Sequence, residues 1–295
     1  MPPASLLICT YEQPRELELT LAGVERQTGA GFDVWICDDG SGPETGRVVE
    51  AFAARARVPV HHVRHAHHGF RRAGILNAAL RRATGRLVVF MDGDCVPHRH
   101  FVADHLAEWR PGLYLAGRRV NLGESLSRFL TVDAVRRGFF DRPRIRLLWS
   151  ALSGGTQFAH RATRIGPRWA RRLLGRTGRA GILGSNFSVA RDDLYAVNGY
   201  DEAFEGYGHE DTELELRLLA LGLRSSALRS VALQFHLWHP RRVTAPPNSE
   251  RMRRAGARSD RVRCGRGIVH LPERDVLDSE GSGVTFAGPE HCAES

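Results

Sequence analysis

The chain has no lysine, and all 42 of its basic residues other than histidine are arginine. A formal net charge of +9 taken alone would favour a protein that binds nucleic acid. Because every one of these basic residues is arginine, the positive charge indicates a bias in amino-acid composition. It does not indicate a surface that was selected to bind nucleic acid. We therefore expect no nucleic-acid partner. Attraction to anionic ligands, or a peripheral contact with an anionic membrane surface, fits the charge better.

Long apolar runs are also absent, since no stretch approaches the roughly 20 apolar residues that a membrane-spanning helix needs. The chain enters a strand-like run at once, without a basic segment or a cleavage site, so we expect no secretory signal. The five cysteines are scattered, and none forms a Cys-x-x-Cys pair. This usage is typical of a reduced compartment. The expected location is cytoplasmic, with peripheral contact with the inner face of the cell membrane as a further option.

Four short apolar runs alternate with helix-like segments in the first hundred residues. The strand-like runs cover 5–10, 32–37, 59–63 and 87–91, and the helix-like segments cover 14–27, 44–57 and 74–83. This alternation predicts an α/β fold with a mostly parallel sheet flanked by helices. Continuous apolar strands, rather than alternating ones, are typical of a sheet covered on both faces.

Pairs of acids follow two of these strands. Asp38 and Asp39 follow the second, and Asp92 and Asp94 follow the fourth. Ligands bind at the carboxyl ends of the strands in such sheets, so both pairs are expected to line one crevice. Asp92 and Asp94 can bind a divalent cation through oxygen, or they form an acidic turn. Asp38 and Asp39 likewise form a simple turn, or they accept hydrogen bonds from a base or a ribose.

Two further motifs lie in the second half of the chain. Glu210 and Asp211 open a helix-like segment, where the helix dipole favours acids. Their functional interpretation is a general base beside the glycines of GYGHED. His236 and His239 lie three residues apart, and each alone is typical of a core histidine. As a pair downstream of the acids, they are candidates for a nitrogen ligand of a metal.

The histidines that follow Pro97 are expected to have no part in such a site. His98 and His100 lead towards the next helix, and we predict that both are surface residues.

An arginine-rich segment over residues 125–179 matches none of these motifs. It is either a helical insertion with a solvated basic face, or a patch that contacts a membrane surface or an acceptor. The chain turns polar and proline-rich after residue 239, and from about residue 272 it has little core-forming content. We expect one domain over 1–240, with halves at 1–115 and 116–240, and then a polar, partly disordered extension over 241–295.

In this order, the motifs resemble those of family 2 glycosyltransferases with the GT-A fold. The matching stretches are SLLICTYEQPRELELTLAGVERQT, VWICDDGS, GFRRAGILNAALRRATGRLVVFMDGDCVPHRHFV and GSNFSVARDDLYAVNGYDEAFEGYGHEDTELELRL. The last stretch resembles the carboxyl-terminal half of galactosyltransferase-like members. The resemblance covers roughly residues 4–240, and it is specific because several spaced motifs agree.

The resemblance implies a donor site built around a metal. Asp94 would ligate Mn²⁺ or Mg²⁺ on the diphosphate, Asp92 would contact the ribose or the metal, and His236 or His239 would complete the metal site. The residues implied in contacts with the nucleotide or the donor sugar are Thr10, Asp38, Asp39, Arg71, Asn77, Gly184, Ser185 and Asn186. Cys9 departs from the family, where its position near the base is often Thr or Pro.

The resemblance also implies that Asp211 is the catalytic base and that Glu210 helps to position the acceptor. A cation on the diphosphate stabilises the leaving group, and one base with one leaving-group site gives a single displacement with inversion. A double displacement would need a second carboxylate at the anomeric carbon, and this alternative stays open from the sequence. The implied reaction moves a hexose or N-acetylhexosamine from a UDP-sugar to a hydroxyl of a saccharide or lipid-linked glycan.

Three alternatives stay open from the sequence. A sugar-nucleotide pyrophosphorylase would carry a glycine-rich, basic phosphate loop after the first strand, but that position reads CTYEQPREL. A basic protein that binds nucleic acid or membrane would need none of the acids. An inactive glycosyltransferase-like scaffold is disfavoured by the intact acids.

Overall fold

The computed structural model describes residues 3–29, 31–141, 155–240, 246–256 and 261–269. The strands are β1 (Ala4–Thr10), β2 (Phe32–Asp38), β3 (Val60–Arg64), β4 (Leu87–Asp92), β5 (Cys95–Pro97), β6 (Leu113–Ala116), β7 (Arg119–Asn121), β8 (Asn186–Ala190), β9 (Arg224–Ala227) and β10 (Gln234–His236). The helices are α1 (Pro14–Val24), α2 (Pro43–Ala53), α3 (Arg72–Leu80), α4 (Phe101–Glu108), α5 (Glu124–Phe129), α6 (Val132–Arg136), α7 (Arg168–Leu173), α8 (Arg191–Ala196), α9 (Glu210–Ala220) and α10 (Pro246–Gly256).

Seven strands form the main sheet in the order β3-β2-β1-β4-β8-β6-β9. β3, β2, β1 and β4 are parallel, and β8 runs antiparallel to both β4 and β6. The expected α/β fold with a mostly parallel sheet is confirmed. The parallel strands are almost wholly buried, which explains why they read as unbroken apolar runs in the sequence.

Two apolar clusters cover the two faces of the sheet. Leu7 and Phe90 pack with side chains of α3, α8 and α9, whereas Leu6 and Ile8 pack with side chains of α1, α2 and α4. The alternation arises because successive side chains of a strand point to opposite faces. Each fully buried large apolar side chain stabilises the fold by about 1.5–3 kcal/mol. This packing holds the carboxyl ends of β1, β2 and β4 in place.

A small second sheet has the order β5-β10-β7. Its central strand β10 is antiparallel to β5, and His236 lies opposite Cys95 in this register. Asp94 immediately precedes β5. The pairing therefore brings a histidine late in the chain next to an acid that follows β4.

The described part of the arginine-rich segment is tied to the rest of the fold through ion pairs. Arg136 donates from Nε to Glu25 Oε2 over 2.8 Å, and Arg171, which is 1% exposed, pairs with Glu108. The expectation of a solvated basic face is therefore wrong for Arg171, which is buried, whereas the side chain of Arg136 stays 37% exposed. Residues 142–154 of this segment lie outside the described residues.

The polar extension contributes to the core where it is described. Cys264 and Ile268 are buried, and Ile268 belongs to the cluster that includes α3 and α9. The sequence pattern did not reveal α10, because a short polar helix that begins with two prolines has little apolar periodicity. The domain boundary at residue 240 stays a prediction, and the tail expected from about residue 272 lies outside the described residues. Among the described helices, none is long and apolar enough to cross a membrane.

Candidate active site

A cleft of about 360 Å³ opens at the carboxyl ends of β1, β2 and β4, as expected for an open parallel sheet. Its other walls come from residues 182–185, from 207–212 and from β10 with the residues that follow it. The structure brings ten of the predicted site residues to this cleft: Thr10, Asp39, Asp92, Asp94, Gly184, Ser185, Glu210, Asp211, His236 and His239. Four others, Asp38, Arg71, Asn77 and Asn186, are not part of its lining.

Asp94, His236 and His239 form a compact group of possible metal ligands on one side of the cleft. Asp94 Oδ2 lies 3.6 Å from His236 Nε2 and 3.3 Å from His239 Nε2. The two histidine Nε2 atoms are 3.2 Å apart. Ligands of one ion at about 2.0–2.1 Å lie about 2.9–3.4 Å from one another. The three side chains therefore fit a shared divalent cation. Cys95, whose sulfur is 3.4 Å from Asp94 Oδ1, is a neighbour of this group.

The protonation states in this group suit metal binding, which requires a carboxylate and an uncharged imidazole. Burial would raise the pKa of Asp94, but the hydrogen bond with His239 and the nearby His236 and Arg119 lower it to about 2. Burial lowers the pKa of His236 to about 4. Near neutral pH, Asp94 is therefore ionised and His236 is uncharged.

Arg72, which the sequence analysis did not select, connects the acids across the cleft. It is 7% exposed, and its guanidinium lies 2.9 Å from Asp211 Oδ1, 3.4 Å from Asp92 Oδ1 and 3.7 Å from Glu210 Oε1. It also donates to the carbonyl of Gly184 over 3.0 Å. Because a buried charge without partners is costly, these carboxylates stabilise the charged guanidinium of Arg72.

Asp211 and Glu210 begin α9 and differ in their surroundings. Asp211 Oδ1 accepts hydrogen bonds from Arg72 and from the hydroxyl of Tyr200, each over 2.9 Å. Glu210 is 5% exposed; burial and the neighbouring Asp211 raise its pKa to about 7, against the opposing effect of Arg72. Asp211 is thus held in one orientation, whereas Glu210 can change protonation near neutral pH.

Two buried polar atoms of the cleft have no hydrogen-bond partner among the described residues. These atoms are Thr10 Oγ1 and Glu210 Oε2. Buried polar groups are almost always paired, so both atoms indicate a place for a polar ligand. A Cβ atom at Gly93 would lie 3.0 Å from Thr10 Oγ1, which is a tight contact.

Asp39 and Asp38 are adjacent in the sequence, but their side chains lie in different surroundings. Asp39 lines the cleft, and its Oδ2 accepts a hydrogen bond from the backbone N–H of Arg71 over 2.9 Å. Asp38 is 1% exposed and accepts from the N–H of Ser41 over 2.8 Å, with His62 Nε2 3.2 Å from its other oxygen. The contact of Asp38 with a nucleobase stays a prediction, and in this structure its oxygens organise the turn after β2.

The nucleotide contact implied for Arg71 stays a prediction, and Arg71 and its neighbour Arg72 lie in different surroundings. Arg71 Nη2 donates to the carbonyl of Ala66 over 2.6 Å, whereas Arg72 faces the cleft. The stretch FRRAG contains two adjacent arginines, and only the start of α3 decides which of them points inwards.

Asn77 and Asn186 are fully buried and hold the fold together. Asn77 Nδ2 donates to the carbonyl of Tyr200 and to Glu202, and its Oδ1 accepts from the N–H of Tyr200. Asn186 Nδ2 donates to two carbonyls, and His105 lies 3.2 Å from its Oδ1. The implied contacts of both residues with a nucleotide or a donor sugar stay predictions, and in this structure their amides are occupied by hydrogen bonds within the protein.

The prediction that His98 lies at the surface is also wrong. His98 is 5% exposed, and burial lowers its pKa to about 4. The N–H of His98 donates to the carbonyl of Leu233, which precedes β10. His98 is covered because β5 pairs with β10, which lies more than a hundred residues later in the sequence. Local sequence could not predict this pairing.

Glu210→Gln is expected to change how stability depends on pH in metal-free buffer. The pKa of Glu210 rises from 4.5 to about 7 on folding, so the folded state holds this proton more tightly. The resulting stabilisation is present below about pH 4.5 and is lost as the pH rises through about 7. Between about pH 5 and pH 8, the wild type should lose about 1–3 kcal/mol of unfolding free energy relative to Glu210→Gln. Urea denaturation measures this difference.

The matched control is Glu205→Gln, which changes an exposed acid of the preceding loop. This variant should keep the wild-type pH dependence. Parallel curves for the wild type and Glu210→Gln would show that Glu210 does not have a raised pKa.

The fold and the cleft define an α/β protein with acids gathered at the carboxyl ends of parallel strands. The model of the family described as "Glycosyl transferase family 2" matches residues 5–168, more than half of the chain, and the chain belongs to this family. A second model, described as "N-terminal domain of galactosyltransferase", matches residues 172–240. The family and the GT-A fold expected from the sequence are both confirmed.

Among curated proteins, the chain is similar to validoxylamine A glucosyltransferase of Streptomyces hygroscopicus subsp. jinggangensis, with 28% identity over 243 residues. The match covers 78% of this chain and 54% of that protein. Chondroitin synthase of Pasteurella multocida is 25% identical over 231 residues, which cover 74% of this chain and 23% of the synthase. The chain therefore matches about half of the first relative and a smaller part of the second.

Solved structures show the same fold at low identity. The mannosyltransferase PcManGT from Pyrobaculum calidifontis, in complex with GDP-Man and Mn²⁺, has a TM-score of 0.54 and 18% identity. The match covers 88% of this chain and 70% of that chain. S. aureus TarS 1-349 in complex with UDP-GlcNAc has a TM-score of 0.57 and 16% identity, with 87% and 66% of the two chains covered.

Proposed function

We propose that this protein is a metal-dependent, inverting glycosyltransferase. It would move a hexose or N-acetylhexosamine from a UDP-sugar to a hydroxyl of a saccharide or lipid-linked glycan. One observation carries the proposal: the ligand group of Asp94, His236 and His239 faces the same cleft as Glu210 and Asp211. A leaving-group site and a base on opposite sides of a donor sugar are what a single displacement requires.

The leaving-group side consists of Asp94, His236 and His239, with Asp92 next to them. These residues would hold Mn²⁺ or Mg²⁺, and the imidazole nitrogens favour Mn²⁺. When bound, such a cation stabilises the negative charge that develops on the departing diphosphate. Arg72, which already pairs with Asp92, adds a fixed positive charge in the same cleft.

The acceptor side consists of Asp211 and Glu210 at the start of α9. The free oxygen of Asp211 would take the proton of the attacking hydroxyl, because its other oxygen accepts from Arg72 and Tyr200. Glu210, with its buried unpaired oxygen, would bind a hydroxyl of the acceptor. If the carboxylate acts on the side of the anomeric carbon opposite the departing diphosphate, the product has the inverted configuration.

The donor assignment draws on similar proteins and on the cleft itself. TarS was solved with UDP-GlcNAc and PcManGT with GDP-Man, so related folds accept both nucleotides. Tyr11 lines the cleft and stacks on His67 with ring centroids 4.2 Å apart. This pair offers a flat aromatic surface beside Asp39 for a base. We propose uridine, whose N–H can donate to Asp39.

A screen of UDP-, GDP- and dTDP-sugars with and without Mn²⁺ tests this function. The expected result is thermal stabilisation and slow hydrolysis with one or more UDP-sugars, with UDP as the product and only in the presence of the metal. Release of pyrophosphate would identify a pyrophosphorylase instead. No response to any nucleotide would contradict the proposal and favour a binding protein or an inactive scaffold.

A peripheral contact with an anionic membrane surface is proposed at α7. Trp169 and Leu173 are one helical turn apart and are 70% and 79% exposed, and Arg168 and Arg172 are exposed beside them. Tryptophan next to arginine suits the interface of an anionic bilayer. The buried pair of Arg171 with Glu108 holds the helix on the protein.

Sedimentation with anionic vesicles should show binding that weakens as salt rises from about 0.1 M to about 0.5 M. The double variant Trp169→Ala, Leu173→Ala should bind at least about 30-fold less tightly, because each large apolar side chain contributes about 1 kcal/mol or more. Leu219→Ala, at a leucine of α9 that is 47% exposed, is the control. Equal binding to neutral vesicles, or no effect of the double variant, would contradict the assignment to α7.

A further inference from the structure

The helix α10 lies outside both family matches, which end at residue 240, but it touches the candidate site. Its sequence is polar, and Asn248 is the one residue of α10 that is buried, with 0% exposure. Burying the polar amide of an asparagine costs free energy unless the amide forms hydrogen bonds within the protein.

The amide N–H groups of Asn248 find hydrogen-bond partners in the loop before α9, whereas its Oδ1 is buried without a hydrogen-bond partner among the described residues. Its Nδ2 donates to the carbonyls of Gly206 and Gly208, each over 3.0 Å. The two glycines lie about 40 positions earlier in the sequence. Both hydrogens of the amide are therefore used to hold one short stretch of backbone.

The backbone of this stretch is in a conformation that needs support. Gly206, Gly208 and His209 have positive φ values of 83°, 106° and 73°. Positive φ is unfavourable for a residue such as His209, and strain of this kind persists only where the surroundings enforce it. The N–H of Gly206 donates to the carbonyl of Phe70, so the loop is held from two sides.

The loop leads directly to the proposed catalytic carboxylates. Tyr207, Gly208 and His209 line the cleft, and Glu210 and Asp211 follow as the first residues of α9. A shift of the two carbonyls by even about 1 Å would move the start of α9 and misplace the groups that receive the acceptor.

We propose that Asn248 is a positioning residue of the active site, which holds the 206–209 loop so that Glu210 and Asp211 face the acceptor. This inference rests on the proposed function. It goes beyond that function because it assigns a role in the reaction to a segment outside the family matches. Asn248 touches neither the donor nor the reacting atoms.

Asn248→Asp is the sharpest test, because it keeps the shape of the side chain and removes both donors. Asn248→Ser, which retains one donor, serves if the aspartate variant does not fold. We expect kcat/KM for the acceptor to fall about 10- to 100-fold, with a smaller loss for serine than for aspartate. The Kd of UDP in the presence of Mn²⁺ should stay within about twofold of the wild-type value, since the metal ligands lie on β10 and next to β5.

Glu250→Ala is the matched control, because it breaks the exposed ion pair with Arg254 on the same helix and leaves Asn248 in place. Its kinetics should equal those of the wild type. Unchanged kcat/KM in a folded Asn248→Asp protein would overturn the inference, and so would equal losses in UDP affinity and turnover.

A readout independent of catalysis separates this inference from the proposed function. Amide hydrogen exchange in Asn248→Ser should increase at residues 208–211 and stay unchanged in β4. If the wild type transfers no sugar but this exchange pattern appears, the proposed function fails while the structural role of Asn248 stands. If the wild type is active and exchange at 208–211 is unchanged, the inference about Asn248 fails alone.

Discussion

Asp94→Ala is expected to abolish metal-dependent sugar transfer, with a loss of at least about 10³-fold in turnover. Asp94 is the anionic member of the ligand group, and both histidine Nε2 atoms lie within 3.6 Å of its carboxylate. Without it, two uncharged imidazoles remain, and the affinity for Mn²⁺ should fall by at least about 100-fold, more than the loss of an outer partner causes. Calorimetric titration with Mn²⁺ and a transfer assay with the UDP-sugar from the screen measure the two effects.

The fold should tolerate this substitution, because His236 is uncharged near neutral pH and no buried charge loses its partner. Asp133→Ala, at an exposed acid in the first turn of α6, is the control and should keep full activity. Normal Mn²⁺ affinity in Asp94→Ala would place the metal elsewhere. Normal turnover without added metal would contradict metal dependence altogether.

Asp211→Asn is expected to reduce turnover by about 10²- to 10⁴-fold, the contribution typical of a general base. The amide keeps the size of the side chain but cannot take the proton of the incoming hydroxyl. Arg72 retains Asp92 and Glu210 as partners, so the buried guanidinium is not left unpaired. The Kd of UDP in the presence of Mn²⁺ should therefore remain close to the wild-type value, as calorimetry can show.

The control for this change is Asp192→Asn, at an exposed acid in the first turn of α8, which should leave turnover unaffected. If Asp211→Asn retained near-normal turnover while Glu210→Gln lost it, Glu210 would be the base. If both variants were active, neither carboxylate would take the proton, and the proposed mechanism would be wrong.

The residues that could be predicted from the sequence lie where the chain leaves a buried strand or enters a helix. Asp39, Asp92 and Asp94 each follow a strand whose apolar run is visible in the sequence, and all three reach the cleft. Asp211 opens a helix with clear apolar spacing. Such positions are predictable because the local pattern of apolar residues shows where a strand ends. The carboxyl ends of parallel strands then meet at the same edge of the sheet.

Other residues could not be separated by local pattern. Arg71 and Arg72 are adjacent and chemically identical, yet only the second pairs with the acids of the cleft. Asn77 and Asn186 look like ligand-binding amides, but distant backbone groups occupy both. Asn248 gave no signal at all, because its partners lie about 40 residues away in the sequence.

The sequence by itself determined the α/β class, the family and the acidic residues at the strand ends. Each of these follows from the short-range periodicity of apolar residues and from the spacing of the motifs. Only the tertiary structure decided which arginine balances those acids and which histidines join Asp94. It also decided that a polar helix beyond residue 240 holds the loop before Asp211. These outcomes depend on contacts between residues that lie dozens to more than a hundred positions apart, where burial and charge pairing select the partner.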